Sequence, residues 1–339
     1  MAIYFQILSS PSNLHQAHLH YGAIPCPFLI PASSISSCTY ATQKGLSASS
    51  VRADTSYDTD SSKNTSTNYF EHLGNDLKEM IVQTFQNLTW KEFLKILNTS
   101  PAMKSLIMNV LSSKTKIIES ENTYFPNKEE LRSFIICLKY CTKLSVLSIN
   151  SSLFKENEAE KLGSSLKKSV TLCKLNLFRV SIGAEGVRKL VEGLEQCPSL
   201  IYLNLSDTKM GNQGAGFLAE ALGQFPSLVC LSLMHNEIGD EGVMKLEPAL
   251  LKTPQLEELL LDFNNITEKS SKKLSNVPEQ CTELWNLSLS SNLIDESALH
   301  DFEAKISQYK SLVELNLSLQ KQSDEMKGCK EIGNLTIFL

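Results

Sequence analysis

The sequence is poor in arginine and, over its first 53 positions, contains no acidic residue at all. Only Arg52, Arg132, Arg179 and Arg188 occur in 339 residues, and 32 basic side chains are outnumbered by 37 acidic ones, for a formal charge of -5. An acidic chain with so few bidentate phosphate-binding groups is not built as a general nucleic-acid binder. Long hydrophobic runs are missing as well. No stretch reaches the roughly 18 uninterrupted apolar residues that a membrane span requires, and the best candidate, residues 24–32, is broken by Pro25, Pro27 and Pro31. The nine cysteines include no CxxC pair and are odd in number, which speaks against a zinc ribbon, a redox dithiol and a disulfide scaffold. Catalytic and cofactor signatures are absent too: no Walker A, HExxH, GxSxG or EF-hand pattern occurs. His72, His235 and His300 stand far apart with no Ser, Cys or Asp constellation around them. The chain is read as non-enzymatic, with no cofactor and no metal.

Residues 1–53 form a separate object. They hold ten serines and four prolines, and they end in Ser49-Ser50-Val51-Arg52-Ala53 just before acids begin at Asp54. Such a segment cannot bury enough apolar surface to offset its ordering entropy. It resembles a plastid transit peptide; the alternative is an ordinary disordered tail on a cytoplasmic protein. His15, His18 and His20 have metal-like spacing there, which in such a tail is incidental. Residues 54–68 are a polar linker of Asp, Ser, Thr and Asn.

What the rest contains is a repeat. The pattern LxxLxL begins at Leu144, Leu172, Leu200, Leu228, Leu256, Leu284 and Leu312, each start 28 residues after the last. Its leucine positions are interrupted once, by Ile149. From the second leucine the pattern alternates at period two and predicts a short strand with one buried face. The remainder of each unit turns to helical spacing. Leu162, Leu190, Leu218, Leu246, Leu274 and Phe302 fall at one repeat position, and Leu166, Leu194, Leu222 and Leu250 fall four residues later on the same helical face. In three repeats the helix begins Gly-x-x-Gly, at Gly183, Gly211 and Gly239, where small residues permit close approach to the neighbouring coil. One strand and one helix cannot bury these leucines alone. Stacked units do so, forming a parallel sheet on one side and a helix layer on the other, bent with the sheet inside.

This arrangement resembles the leucine-rich repeats of the ribonuclease-inhibitor-like class over roughly residues 128–320. The resemblance implies an α/β horseshoe with its sheet on the concave side. The loop asparagine of LxxLxLxxN is present as Asn236, Asn264 and Asn292, while Ser152, Val180, Thr208 and Gln320 replace it elsewhere. The ladder of loop hydrogen bonds is therefore expected to be incomplete. Residues 69–127 are read as an all-helical N-terminal cap, with Asn127 and Glu130 forming a capping box at the array's first helix. Residues 321–339 depart from the repeat and are expected to cover its other end. Cys141, Cys197 and Cys281 share a repeat position and are expected to be buried, unpaired thiols.

The outward-facing columns of the sheet are the natural binding surface. Phe178, Tyr202, Met234 and Leu260 are larger apolar groups set among small polar ones, with Asn204, Glu258 and Asp262 beside them. Apolar anchors in a polar field suit a protein partner, and the acids, with Glu314, favour one carrying a basic patch. Two other readings come from related families. Ran GTPase-activating proteins use repeats of this class, and Arg179 lies in a loop after a strand where such a protein could place an arginine. The sensor arrays of innate immune receptors are similar as well, but this chain has no P-loop.

Overall fold

A strand three residues long is unstable by itself, and this fold supports each one by pairing it with its neighbours on both sides. The computed structural model describes residues 95, 117–118, 125–318, 320, 329–332 and 335–338. The transit-like segment, the histidine cluster within it, the linker and nearly all of the expected helical cap lie outside the described residues. Eight parallel strands follow one another in chain order: β1 (Ile117–Ile118), β2 (Val146–Ser148), β3 (Lys174–Asn176), β4 (Tyr202–Asn204), β5 (Cys230–Ser232), β6 (Glu258–Leu260), β7 (Asn286–Ser288) and β8 (Glu314–Asn316). From β2 to β8 the register never slips. Leu147, Leu175, Leu203, Leu231, Leu259, Leu287 and Leu315 are successive partners, and each is fully buried. The other repeat leucines and Ile149 are buried as well, Leu312 the most exposed at 6%.

The second layer consists of α1 (Lys128–Leu138), α2 (Glu156–Leu166), α3 (Gly183–Leu194), α4 (Gly211–Leu222), α5 (Asp240–Leu250), α6 (Glu268–Leu274), α7 (Val277–Gln280) and α8 (Glu296–Glu303). At the head of α1, Asn127 Oδ1 accepts the Glu130 N–H at 2.9 Å, as the capping box predicts. Gly183 and Gly211 start α3 and α4 with φ of 68° and 57°, a left-handed conformation that glycine adopts at low cost. The fifth repeat, which starts at Leu256, departs from the pattern. Where the four preceding units carry a second leucine it has Pro278, so α6 ends early and α7 restarts with that proline in its first turn. Deeper in the layer, Gly163 of α2 and Gly193 of α3 bring two helices into backbone contact. A Cβ on Gly193 would lie 2.3 Å from the Gly163 backbone.

The loop ladder is more complete than the residue types suggest. Asn264 Oδ1 accepts the N–H groups of Asn236 and Ile238 at 3.0 Å each, and its Nδ2 donates to the carbonyls of Leu233 and Leu261. Asn236 and Asn292 make matching sets. Gln320, counted as a break in the pattern, does the same work. Its Nε2 donates to Leu289 O at 2.9 Å and Leu317 O at 2.8 Å, and its Oε1 accepts the Ile294 N–H at 3.1 Å. An amide one methylene longer reaches the same backbone groups, which corrects the expectation of a gap at this position. Thr208 joins through its hydroxyl, which donates to Leu205 O at 2.9 Å.

Both ends of the sheet differ from the sequence reading in detail. The region read as all-helical supplies β1, a two-residue β-branched strand beside β2. At the far end the tail adds β9 (Cys329–Ile332) and β10 (Leu335–Phe338); β10 lies parallel to β8, and β9 runs antiparallel along it. Cys141, Cys197 and Cys281 are buried thiols in no disulfide, with Cys197 donating to Leu166 O at 3.7 Å and Cys281 to Leu250 O at 3.3 Å. Burial pushes both of these thiols up to about 11.

Candidate protein-interaction surface

Alternation along each strand turns the central leucine toward the helices and its two neighbours to the open face of the sheet. Because the strands stay in register, these neighbours form straight rows across the repeats. The first row runs through Lys174, Tyr202, Cys230, Glu258, Asn286 and Glu314. Within it the Lys174 ammonium sits 4.8 Å from the centre of the Tyr202 ring, and both residues are half-buried. The Tyr202 hydroxyl in turn accepts a hydrogen bond from Asn204 Nδ2 at 3.4 Å. Asn204 Oδ1 takes the Ser206 N–H at 2.9 Å, closing a small turn at the end of β4. The same turn follows β3, where Asn176 Oδ1 accepts the Phe178 N–H at 3.1 Å.

Phe178 and Met234 stand two residues past the second strand position, half-buried, with Phe178 beneath the Arg179 guanidinium at 4.8 Å. Between them in the row stands Ser206, whose hydroxyl is 2.7 Å from that of Ser232 in the adjacent row and whose Oγ accepts the Met234 N–H. Phe178, Tyr202, Asn204 and Met234 are therefore gathered on three adjacent repeats and held by hydrogen bonds at their bases.

The other three expected site residues have a different setting. Glu258, Leu260 and Asp262 belong to β6 and the residue pair after it, on the same face, yet they are 4%, 6% and 4% exposed. Side chains of flanking strands stand only about 4.8 Å away on each side, and here they enclose the row. Glu258 accepts the Cys230 thiol at 3.7 Å, and burial, with the nearby Glu257 and Glu314, holds its carboxyl above the usual range. Asp262 accepts the Ser288 hydroxyl and, at 3.0 Å, the Ser290 N–H. Burial nonetheless lifts its carboxyl as well. These residues line the floor of the face rather than project from it.

A feature not anticipated from the sequence borders this surface. Arg179, Asp207, His235, Phe263 and Ser291 occupy one repeat position, and all five have φ between 55° and 62°. A non-glycine residue resists that conformation. Each is held there by continuation of the sheet ladder, as when the Phe263 N–H donates to Ser290 O at 2.9 Å. The outcome is a rim along which Arg179, His235 and Phe263 are exposed, Asp207 is half-buried and Ser291 is buried. The His235 and Phe263 rings stack at 4.2 Å with an 8° interplanar angle, and Arg179 lies 3.9 Å from the Asp207 carboxylate. Arg179, the arginine in the loop after β3, is thus engaged by both Phe178 and Asp207. Among the described residues, no group of three or more His, Cys, Asp or Glu side chains could hold a metal ion, and no helix is long and apolar enough to cross a membrane.

Residues 196–219 and 226–246 match the family described as Leucine Rich repeat. No curated protein matches the chain. Among solved structures it is similar to Leiomodin-1 Actin-Binding Site 2 (ABS2), at 18% identity over 44% of this chain and 88% of that one, with a TM-score of 0.36.

Proposed function

We propose that this leucine-rich repeat protein, with repeats of the ribonuclease-inhibitor-like class, is a non-catalytic scaffold that holds a protein partner against the open face of its sheet. The observation that carries this reading is the grouping of Phe178, Tyr202, Asn204 and Met234 on three paired strands. Half-buried aromatic and thioether side chains on a rigid base lose little conformational freedom when covered, which is the property of interface anchors. The backbone beneath them is fixed by the strand register and by hydrogen bonds within each turn, so binding need not order the surface first. Glu258, Leu260 and Asp262 take part as the acidic and apolar floor next to these anchors, which suits a partner with a basic patch.

Affinity capture with the tagged full chain tests the proposal. Wild type is compared with a Phe178→Ala, Tyr202→Ala double variant and with Met244→Ala, a change at an exposed position on the helix side. A specific partner held by wild type and Met244→Ala is expected to fall at least about tenfold with the double variant, the loss of one or two anchors. Equal retention by all three proteins overturns the assignment of this face.

A further inference from the structure

The floor of the open face contains a polar group that folding leaves unsatisfied. Asn286 is 5% exposed, and its carboxamide makes no hydrogen bond with any described residue. Such a group carries a desolvation penalty with nothing to offset it. Asn286 stands in register between Glu258 of β6 and Glu314 of β8. Each glutamate is therefore one strand away, about 4.8 Å along the sheet. Glu258, 4% exposed, has the Cys230 thiol as a donor, and a thiol is a weak one. The three residues together present several oxygen acceptors and little to fill them. Among the described residues no cationic side chain pairs with Glu258 or Glu314.

The edge of the same strands supplies a second feature. The residues immediately before Tyr202 and Glu314 are Ile201 and Val313, which are 43% and 47% exposed. Trp285, directly before Asn286, is half-buried. The acidic row is thus bordered by two apolar residues on adjacent strands, Trp285 and Val313, whose backbones are paired: the Val313 N–H donates to Trp285 O at 2.9 Å.

We propose that Glu258, Asn286 and Glu314 form the pocket for an arginine side chain of a protein partner, whose neighbouring apolar residues rest on Trp285 and Val313. This deepens the open-face reading and rests on it. Arginine fits better than lysine. The planar guanidinium carries five donors in a fixed fork, so it can serve a carboxylate on each side and the Asn286 carboxamide oxygen at once. An ammonium offers three donors from one point and cannot span the row in the same way.

The test uses the full chain with a probe of defined chemistry, acetyl-Leu-Arg-Leu-amide. The chain has two tryptophans, Trp90 and Trp285, so the indole N–H resonance of Trp285 can be assigned with a Trp285→Phe variant and followed by NMR. The arginine peptide is expected to shift it saturably in the millimolar range. The peptide with citrulline, a neutral isostere of arginine, is expected to bind at least about tenfold more weakly, and the lysine peptide several-fold more weakly, because charge and fork geometry both contribute. The Glu258→Gln, Glu314→Gln double variant is expected to lose saturation. Equal response to the citrulline peptide, equal affinity for the lysine peptide, or no saturable shift with arginine overturns the proposal. The peptide comparison is made on wild type and so does not depend on the folding of any variant. If a partner captured through Phe178 and Tyr202 binds the double glutamine variant as well as wild type, the arginine pocket fails while the open-face reading stands.

Discussion

Replacing Asn264 with alanine removes a side chain that serves two successive loops at once. Asn264 is 1% exposed; it accepts the N–H groups of Asn236 and Ile238 at 3.0 Å each and donates to Leu233 O at 3.0 Å and Leu261 O at 2.9 Å. Alanine offers none of these contacts and leaves buried backbone groups on both loops without partners. Four well-formed bonds at roughly 1 kcal/mol each set the expected loss at about 4 kcal/mol, a large share of the roughly 5–15 kcal/mol by which domains are stable. Urea unfolding followed by far-UV circular dichroism measures it. The adjacent Asn265→Ala is the control, because Asn265 is exposed, and its expected effect is within about 0.5 kcal/mol. Asn264→Asp adds a sharper contrast. At neutral pH it keeps the acceptors but turns a second oxygen toward the Leu233 and Leu261 carbonyls, so its destabilisation should ease as the carboxyl is protonated at low pH. An Asn264→Ala loss below about 1 kcal/mol, or no greater than that of Asn265→Ala, would refute the claim that the amide ladder fixes these loops.

Gly193→Ala should cost about 1–3 kcal/mol in the same assay, since its Cβ would meet the Gly163 backbone at 2.3 Å, whereas Gly223→Ala, with open space around it, should be near neutral; equal effects would contradict the close helix contact. For Asp262, burial raises the carboxyl in the folded state, so the fold binds more protons than the unfolded chain between the ordinary and the raised range. Wild-type stability should therefore fall as pH rises through that window, and Asp262→Asn, which keeps an oxygen acceptor, should flatten the slope; an unchanged slope counts against it. Brief treatment of the native protein with a thiol reagent at neutral pH, read by peptide mapping, should label the half-exposed Cys173 well before Cys197 and Cys281, whose thiols are pushed up to about 11. Equal labelling of the three would show that the layer between sheet and helices opens readily.

The strand register was legible from the leucines because burial imposes one residue type at one spacing, and nothing but stacked units satisfies seven such patterns. Depth on the open face was less legible. Alternation tells which way Glu258, Leu260 and Asp262 point, but their exposure depends on side chains of strands 28 residues away in sequence. Gln320 shows another limit: the loop slot selects an amide group, not an asparagine, and a pattern of single letters overlooks that. The stacked pair of His235 and Phe263 was hidden for a related reason. Arg179, Asp207, His235, Phe263 and Ser291 have no chemistry in common, only a left-handed backbone. The spacing of 28 was available as a signal, but it had to be read across dissimilar residues. Gly163 and Gly193 lie in different helices, so their contact follows from how the helices stack and not from either helix alone.

The central claim is that a partner sits on the sheet rather than on the helices. Site-specific photocrosslinking in cells tests it most directly, with benzoylphenylalanine placed at Tyr202 on the open face and, in a second protein, at Met244 on the helix side. A discrete adduct from position 202 with none from position 244 is the predicted result. An adduct of the same mass from position 244, with position 202 silent, would contradict the claim.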